Sequence, residues 1–187
     1  MTLLILGILL FVVVHFVPAL VPALKNSWYE RLGEGGYKGT FSVLLLASFA
    51  LIIIGWRSAE PSFVYQPPAA LQHFALVLMA CGFLIMAASS VNSRLRQIFR
   101  HPQLMGVAVW GLSHLLLNGD SRSVLLFSSM ALWAVVEMFA ISKRDGAWNK
   151  DDIPSWGAEF KTVILASITV AAFVFAHPWL SGVAVTW

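Results

Sequence analysis

Long apolar stretches run through this chain and constrain its fold more than any other feature. The first covers residues 2–24 and contains no charged side chain. A helix needs about 20 mostly apolar residues to cross roughly 30 Å of hydrocarbon. A backbone in hydrocarbon must also satisfy its own hydrogen bonds, which a helix does within one segment. The stretch therefore predicts a membrane-spanning helix.

Five further segments resemble the first, and composition agrees with a membrane protein. The six predicted spans cover residues 2–24, 40–56, 69–90, 103–117, 121–141 and 160–180, of which the fourth is the shortest. Hydrophobic residues make up 59% of the chain and charged residues only 11%, whereas soluble domains carry roughly a quarter charged residues. We predict an all-α bundle of six transmembrane helices, forming one integral membrane domain over residues 1–187.

The positive charges are distributed unevenly between the predicted loops. Loops one, three and five hold Lys25, Arg31, Lys38, Arg94, Arg96, Arg100, Lys143, Arg144 and Lys150, whereas loops two and four hold only Arg57 and Arg122. Because cytoplasmic loops carry the excess of Lys and Arg, this asymmetry predicts both termini on the outer side of the membrane. The net charge of +3 includes no basic run long enough to follow phosphates, so a nucleic-acid partner is not expected.

Two glycine-containing stretches predict turns. Asn118-Gly119-Asp120 separates the fourth and fifth spans by a very short loop, which makes those spans antiparallel neighbours. Asp120 or Ser121 can cap the fifth helix. The sequence GEGGYKG at 33–39 lacks the preceding strand of a phosphate-binding loop, so we interpret it as a flexible turn between helices.

Histidines are the residues that most suggest chemistry. His73, His101 and His177 lie near predicted span ends, where a structural role is expected, while His15 and His114 lie deep inside their spans. Buried polar groups in a membrane face the bundle interior and find partners. Two interpretations remain open at this point: each imidazole bonds to a neighbouring helix, or the two share a ligand. His101 is thirteen residues from His114, about 20 Å along a continuous helix, so these two do not bind one metal together.

The residues around the deep histidines fit either interpretation. Gly106, Trp110 and His114 follow at four-residue steps and share a slowly drifting helix face. Glycine would let a flat group approach the backbone and tryptophan would stack on it, but ordinary close helix packing explains the pattern equally well. Pro18 and Pro22 predict a bend just past His15. No zinc, calcium or nucleophile-elbow motif is present, and no catalytic residue is predicted.

The stretch RHPQLMGVAVWGLSHLLLNGD at 100–120 resembles the signature of the NnrU-domain membrane family. It carries an Arg-His-Pro start, a Gly, a Trp, a second His and a short Gly-Asp turn, and RLGEGGYKGTFSVLLL resembles the same family. The likeness extends over essentially the whole chain. It implies an association with denitrification and nitric oxide metabolism. The related zeta-carotene isomerase, a haem b membrane enzyme, implies histidine axial ligands.

Carried over to this sequence, the resemblance implies a b-type haem with His15 and His114 as axial ligands between the first and fourth spans. Gly106 and Trp110 would line its plane, and His101 would be structural or interfacial. Implied partners are membrane lipid and either nitric oxide reductase or an apolar isoprenoid substrate. No cysteine lies beside His114, so the resemblance does not extend to ligand exchange with a nearby thiolate. Whether the chain is an enzyme stays open.

The leading hypothesis is thus a haem protein that senses or processes nitric oxide or isomerises an apolar substrate under redox control. A haem-free accessory protein that assists nitric oxide reductase is the alternative, with His114 bridging two helices by a hydrogen bond. A small-molecule transporter fits less well, because the expected intramembrane charges and broken-helix pairs are missing.

Overall fold

The computed structural model describes residues 1–150 and 152–185, and within them the predicted all-α class is confirmed. The described residues form helices α1 (Thr2–Leu20), α2 (Pro22–Ser58), α3 (Gln72–Ala87), α4 (Pro102–Leu115), α5 (Ser121–Asp145) and α6 (Trp156–Ser181). Short 3₁₀ turns precede α3 at Ala69–Leu71 and α4 at Arg94–Gln97. Position 151 in loop five and the last two positions of the predicted 1–187 domain lie outside the described residues.

Five helices in the described part of the chain are long and apolar enough to cross a membrane: α1, α2, the segment Ala69–Ala87, α5 and α6. Large apolar side chains on them are exposed, including Leu46 at 68% and Phe139 at 71%, as expected for surfaces that face lipid. Helix α4 has 14 residues, which corresponds to about 21 Å. The count of six spans and the outer placement of both termini therefore stay predictions.

The chain forms two compact units, Met1–Glu60 and the part that starts at Pro61. In the first unit, α1 and α2 pack at glycines. The space that a Cβ of Gly55 would occupy is filled by backbone atoms of Leu3 and Leu4, and that of Gly7 is filled by Ile52. Small residues at such contacts let two helical backbones approach closely, which compensates for the lack of a hydrophobic driving force in lipid.

The boundary between α1 and α2 differs from the predicted first span. Helix α1 ends at Leu20 and α2 starts at Pro22, so the predicted continuous span over 2–24 is wrong at its end. The reason lies in Pro22, which fixes its own φ and disfavours helical geometry at the residue before it. Val21 accordingly has φ −128° and ψ 64°.

Loop one is also more helical than predicted. Helix α2 includes residues 34–39, so the prediction of a flexible turn is wrong for these residues. The helix is interrupted only at Gly33, the first residue of GEGGYKG. Gly33 has φ 67° and ψ 177°, a conformation that glycine adopts readily. The Lys38 ammonium lies 2.6 Å from the Glu34 carboxylate one turn away, and Tyr37 contacts Trp28 across the break with ring centroids 5.1 Å apart.

The second unit is built on close packing of α4 against α3 and α5. A Cβ on Gly106 of α4 would lie 2.7 Å from the Gly82 carbonyl oxygen of α3. A Cβ on Gly111 would lie 2.7 Å from the Phe127 carbonyl oxygen of α5. The predicted pairing of the fourth and fifth helices as neighbours is confirmed, and glycines of α4 permit both contacts.

Loop two is held against the turn between α4 and α5. The amides of Val64 and Tyr65 both donate to the Gly119 carbonyl at 3.0 Å. The Tyr65 hydroxyl donates to the carbonyls of Leu115 and Asn118. A Cβ on Gly119 would overlap the Tyr65 carbonyl, so this turn needs glycine because of a neighbouring backbone.

Asp120 caps α5, as predicted. Its Oδ1 accepts from the amides of Arg122 at 3.0 Å and Ser123 at 3.2 Å, and its Oδ2 accepts from the Ser123 hydroxyl at 2.5 Å. Burial acts to raise the pKa of Asp120, but the hydrogen bonds from Ser123 and Arg122 outweigh it and hold the pKa below its ordinary value of 3.8. The carboxylate form is therefore the one that stabilises the helix end.

We expect Asp120→Ala to lower the free energy of unfolding by about 1 kcal/mol, the usual cost of losing an N-cap. The pKa of Asp120 is lower in the folded state than in the unfolded state. The carboxylate therefore stabilises the fold at neutral pH, and this stabilisation is lost as the pH falls below 3.8 toward the folded-state pKa. Thermal unfolding in detergent, followed by circular dichroism at several pH values, measures this. Asp120→Asn keeps an acceptor and is expected to retain most of the stability at neutral pH; an equal loss in both variants would contradict the capping role.

Candidate functional site

His15 lies on α1 in the first unit, and its ring is enclosed by aromatic side chains. Its Nδ1 lies 2.8 Å from the Phe11 carbonyl oxygen one turn earlier. A carbonyl oxygen only accepts, so Nδ1 carries the proton and Nε2 carries the lone pair. The imidazole centroid lies 4.1 Å from the ring of Phe11 and 5.8 Å from that of Phe41. The contact with Phe41 ties His15 to the aromatic side chains of α2.

His114 lies on α4 in the second unit and is arranged in the same way. Its Nδ1 donates to the Trp110 carbonyl at 3.0 Å, which again leaves the lone pair on Nε2. Its ring stacks on Phe127 of α5, with centroids 4.1 Å apart and an angle of 22° between planes. The Trp110 indole lies 4.8 Å away. The hydrogen bond at Nδ1 is within the helix, so it is not the bridge between helices that the haem-free alternative predicts.

This tautomer is the one that a histidine requires to bind a metal through Nε2. Iron binds a neutral imidazole nitrogen, and the proton on the other nitrogen normally bonds to a carbonyl or carboxylate that fixes the ring. Both deep histidines have that donor chemistry, each from contacts inside its own unit. Among the described residues no group of three or more His, Cys, Asp or Glu side chains could hold a metal ion. A metal held by these residues would therefore have few protein ligands. Haem iron needs only axial ligands from the protein.

Gly106 and Trp110, predicted to line a cofactor plane, lie where α4 meets its neighbours. The open side of Gly106 is filled by Gly82 and Met86 of α3. Trp110 contacts Phe127 edge to face, with centroids 5.1 Å apart. Close helix packing accounts for both positions, and a role in lining a haem stays a prediction.

The other three histidines lie near helix ends. His73 is exposed at the start of α3, and His101 is the N-cap residue of α4 and contacts the Ser142 hydroxyl at 2.8 Å. His177, near the end of α6, contacts the Val183 carbonyl at 2.6 Å through Nδ1. His177 is also near enough for an electrostatic interaction with His114. Sequence reasoning missed this relation, because no periodicity connects α4 with α6.

Glu137 is a second polar group inside a span. Its side chain is 5% exposed and interacts electrostatically with Arg144. Its Oε2 has no hydrogen-bond partner among the described residues. The side chain is therefore buried instead of extending to the membrane surface.

Comparison with known protein families gives one match. A family model described as NnrU protein matches residues 3–185. The chain belongs to the NnrU protein family. The match includes both deep histidines and all six helices, so the family extends over both compact units. No curated protein and no solved structure matches the chain.

Proposed function

We propose that this NnrU-family protein binds a b-type haem in the cell inner membrane, with His15 and His114 as the axial ligands. The observation that carries the proposal is the matching chemistry of the two imidazoles. Each donates from Nδ1 to a carbonyl four residues earlier, which places the lone pair on Nε2. Membership of the family and the long apolar helices support the membrane setting.

The residues around each histidine would orient it for this role. The Phe11 and Trp110 carbonyls fix the tautomers, and the stacking of Phe127 limits rotation of the His114 ring. A bound haem would supply one-electron redox chemistry and an affinity for small diatomic ligands. If both imidazoles hold the haem, nitric oxide processing or isomerisation of an apolar substrate would require that one of the two histidines is released. A pair that never dissociates would restrict the protein to electron transfer.

The test is an optical one on protein purified in mild detergent from haem-replete cells. We expect a Soret band that co-elutes with the full chain on gel filtration and is lost in His15→Ala and in His114→Ala. His73→Ala is the matched control, because this histidine is exposed at a helix start, and it should keep the band. Added imidazole should restore the band in His114→Gly, which separates loss of a ligand from loss of fold.

Two results would overturn the proposal. One is a colourless, well-folded wild-type protein; the other is an unchanged spectrum in both deep-histidine variants. His177→Ala belongs in the same series, because His177 interacts electrostatically with His114. Loss of the band in His114→Ala and His177→Ala but not in His15→Ala would assign a different ligand pair.

A haem-free accessory protein for nitric oxide reductase is the second candidate. The observation that favours it is that both imidazoles already pack against aromatic rings, His15 on Phe11 and His114 on Phe127. For this candidate, the histidine variants would keep their fold, the preparation would be colourless, and reductase assembly would fall when the gene is deleted. The Soret measurement therefore separates the two candidates.

A further inference from the structure

A polar cavity of about 270 Å³ opens beside the N-terminal end of α4, at the opposite end of this helix from His114. It is bounded by the segment before α4, the end of α5 and the residues that follow α5. The side chains that matter for its chemistry are Arg96, Arg100, His101, Asp145, Trp148 and Asn149. None of them is used by the proposed haem site, so the cavity needs a separate explanation.

Positive charge dominates the cavity. Arg96 and Arg100 both line it, and among the described residues of its lining the one carboxylate is that of Asp145. That carboxylate is paired with the Arg144 guanidinium at 2.7 Å, which reduces its repulsion of an anion. Arg100 donates from Nη1 to the Gly146 carbonyl at 2.8 Å. A guanidinium has five N–H donors in a planar fork, so this bond holds Arg100 in place and leaves donors for a ligand.

The end of α4 adds a second feature that favours anions. His101 is the N-cap residue, lines the cavity and gives no side-chain cap bond to the helix, and Pro102 occupies the first turn. Helix N-termini attract anions through free amide groups and the helix dipole. Burial lowers the pKa of His101, and the charge of Arg100 lowers it further. The imidazole is therefore neutral at pH 7, and the charge that acts on a ligand comes from the arginines.

The position of the cavity indicates which anion it meets. Arg96 and Arg100 belong to a basic loop that joins two apolar helices, and Trp148 lies at the same edge. Tryptophan and basic residues are enriched where a membrane meets water, and basic pockets at that level bind lipid headgroups. Arginine forks match phosphate oxygens in a bidentate manner.

We propose that this cavity binds a phosphate group, supplied either by an anionic lipid headgroup or by a small soluble phosphate. The two arginines would hold the phosphate oxygens, with the N-terminus of α4 beside them. The residues that line this cavity are different from those proposed to hold the haem.

The experiment uses the full chain in neutral detergent and in phosphatidylcholine nanodiscs. One arm titrates inorganic phosphate by calorimetry; the other adds phosphatidylglycerol to the nanodiscs and measures retained lipid by native mass spectrometry.

Arg96→Gln and Arg100→Gln should each weaken binding about tenfold, the effect of losing one charge-assisted hydrogen bond. Arg100→Lys keeps the charge but loses the fork and should give an intermediate loss. Lys143→Gln is the matched control, since Lys143 is exposed, basic and outside the cavity lining.

Binding of phosphate in both arms supports the site in its general form. Retention of phosphatidylglycerol without binding of inorganic phosphate assigns a lipid headgroup, and the reverse assigns a soluble phosphate. Absence of binding in both arms overturns the proposal. An equal loss in Lys143→Gln and Arg100→Gln also overturns it, since only general surface charge would then matter. Unfolding temperatures of all variants show whether any loss reflects misfolding, and Arg100→Lys keeps the test valid if Arg100→Gln does not fold.

Discussion

Gly55→Ala should destabilise the first unit by about 1–3 kcal/mol or more, the range observed for overpacked contacts. The added methyl group would overlap the Leu4 amide nitrogen and lie 2.7 Å from the Leu3 carbonyl carbon and the Leu4 Cα. These are backbone atoms, which cannot move aside by changing a rotamer. The α1–α2 contact would have to separate, and the unfolding temperature in detergent should fall clearly.

Gly39→Ala is the control for this prediction. Gly39 lies in the same helix, with nothing within 4 Å of a Cβ, and alanine favours helix by roughly 1 kcal/mol over glycine. The two substitutions add the same methyl group to α2 and should change stability in opposite directions. If both variants melted at the wild-type temperature, the tight contact between α1 and α2 would be disproved.

The second large effect is expected at Gly106. Its Cβ would lie 2.7 Å from the Gly82 carbonyl oxygen, 2.8 Å from Met86 Cβ and 3.0 Å from the Met86 amide nitrogen. We expect Gly106→Ala to cost about 1–3 kcal/mol, because α3 and α4 must move apart. Thermal unfolding and the optical spectrum should be measured on the same preparation, since the two readouts separate the two roles considered for this residue.

If Gly106 serves helix packing, its variant melts at a lower temperature while the spectrum of the folded protein stays unchanged. A shifted spectrum with unchanged stability would instead assign Gly106 to a cofactor plane and would refute the packing explanation. Gly157→Ala is the control in the same unit: its Cβ would lie 3.6 Å from the Ser155 hydroxyl oxygen, an ordinary contact distance. It should melt close to the wild-type temperature.

Local features of the sequence predicted several parts of the fold correctly. Apolar segment length predicted helices at the positions of α3, α5 and α6, since hydropathy is summed over neighbouring residues. The Asp120 cap was also predicted, because capping depends on amides only two and three residues away. Gly33 breaks α2, whereas the glycines after it are helical, in a segment that also carries an exposed salt bridge and a contact between aromatic rings.

Other features depend on residues far apart in the chain. The buried Ser93 hydroxyl donates to Glu159 at 2.9 Å, and the Arg94 amide donates to the same carboxylate at 2.6 Å. No periodicity or spacing connects positions 66 residues apart. The stacking of His114 on Phe127 and the basic cavity beside α4 also bring together residues from different helices or loops.

The sequence by itself predicted the apolar helices α3, α5 and α6 and the short turn between α4 and α5. Those properties follow from hydropathy and from bonds between near neighbours. Only the tertiary structure decided which atoms face each glycine and which ring stacks on His114. It also decided that Arg96 and Arg100 line one cavity. Contacts between helices depend on the crossing and rotation of whole helices, and those are set by packing against distant residues.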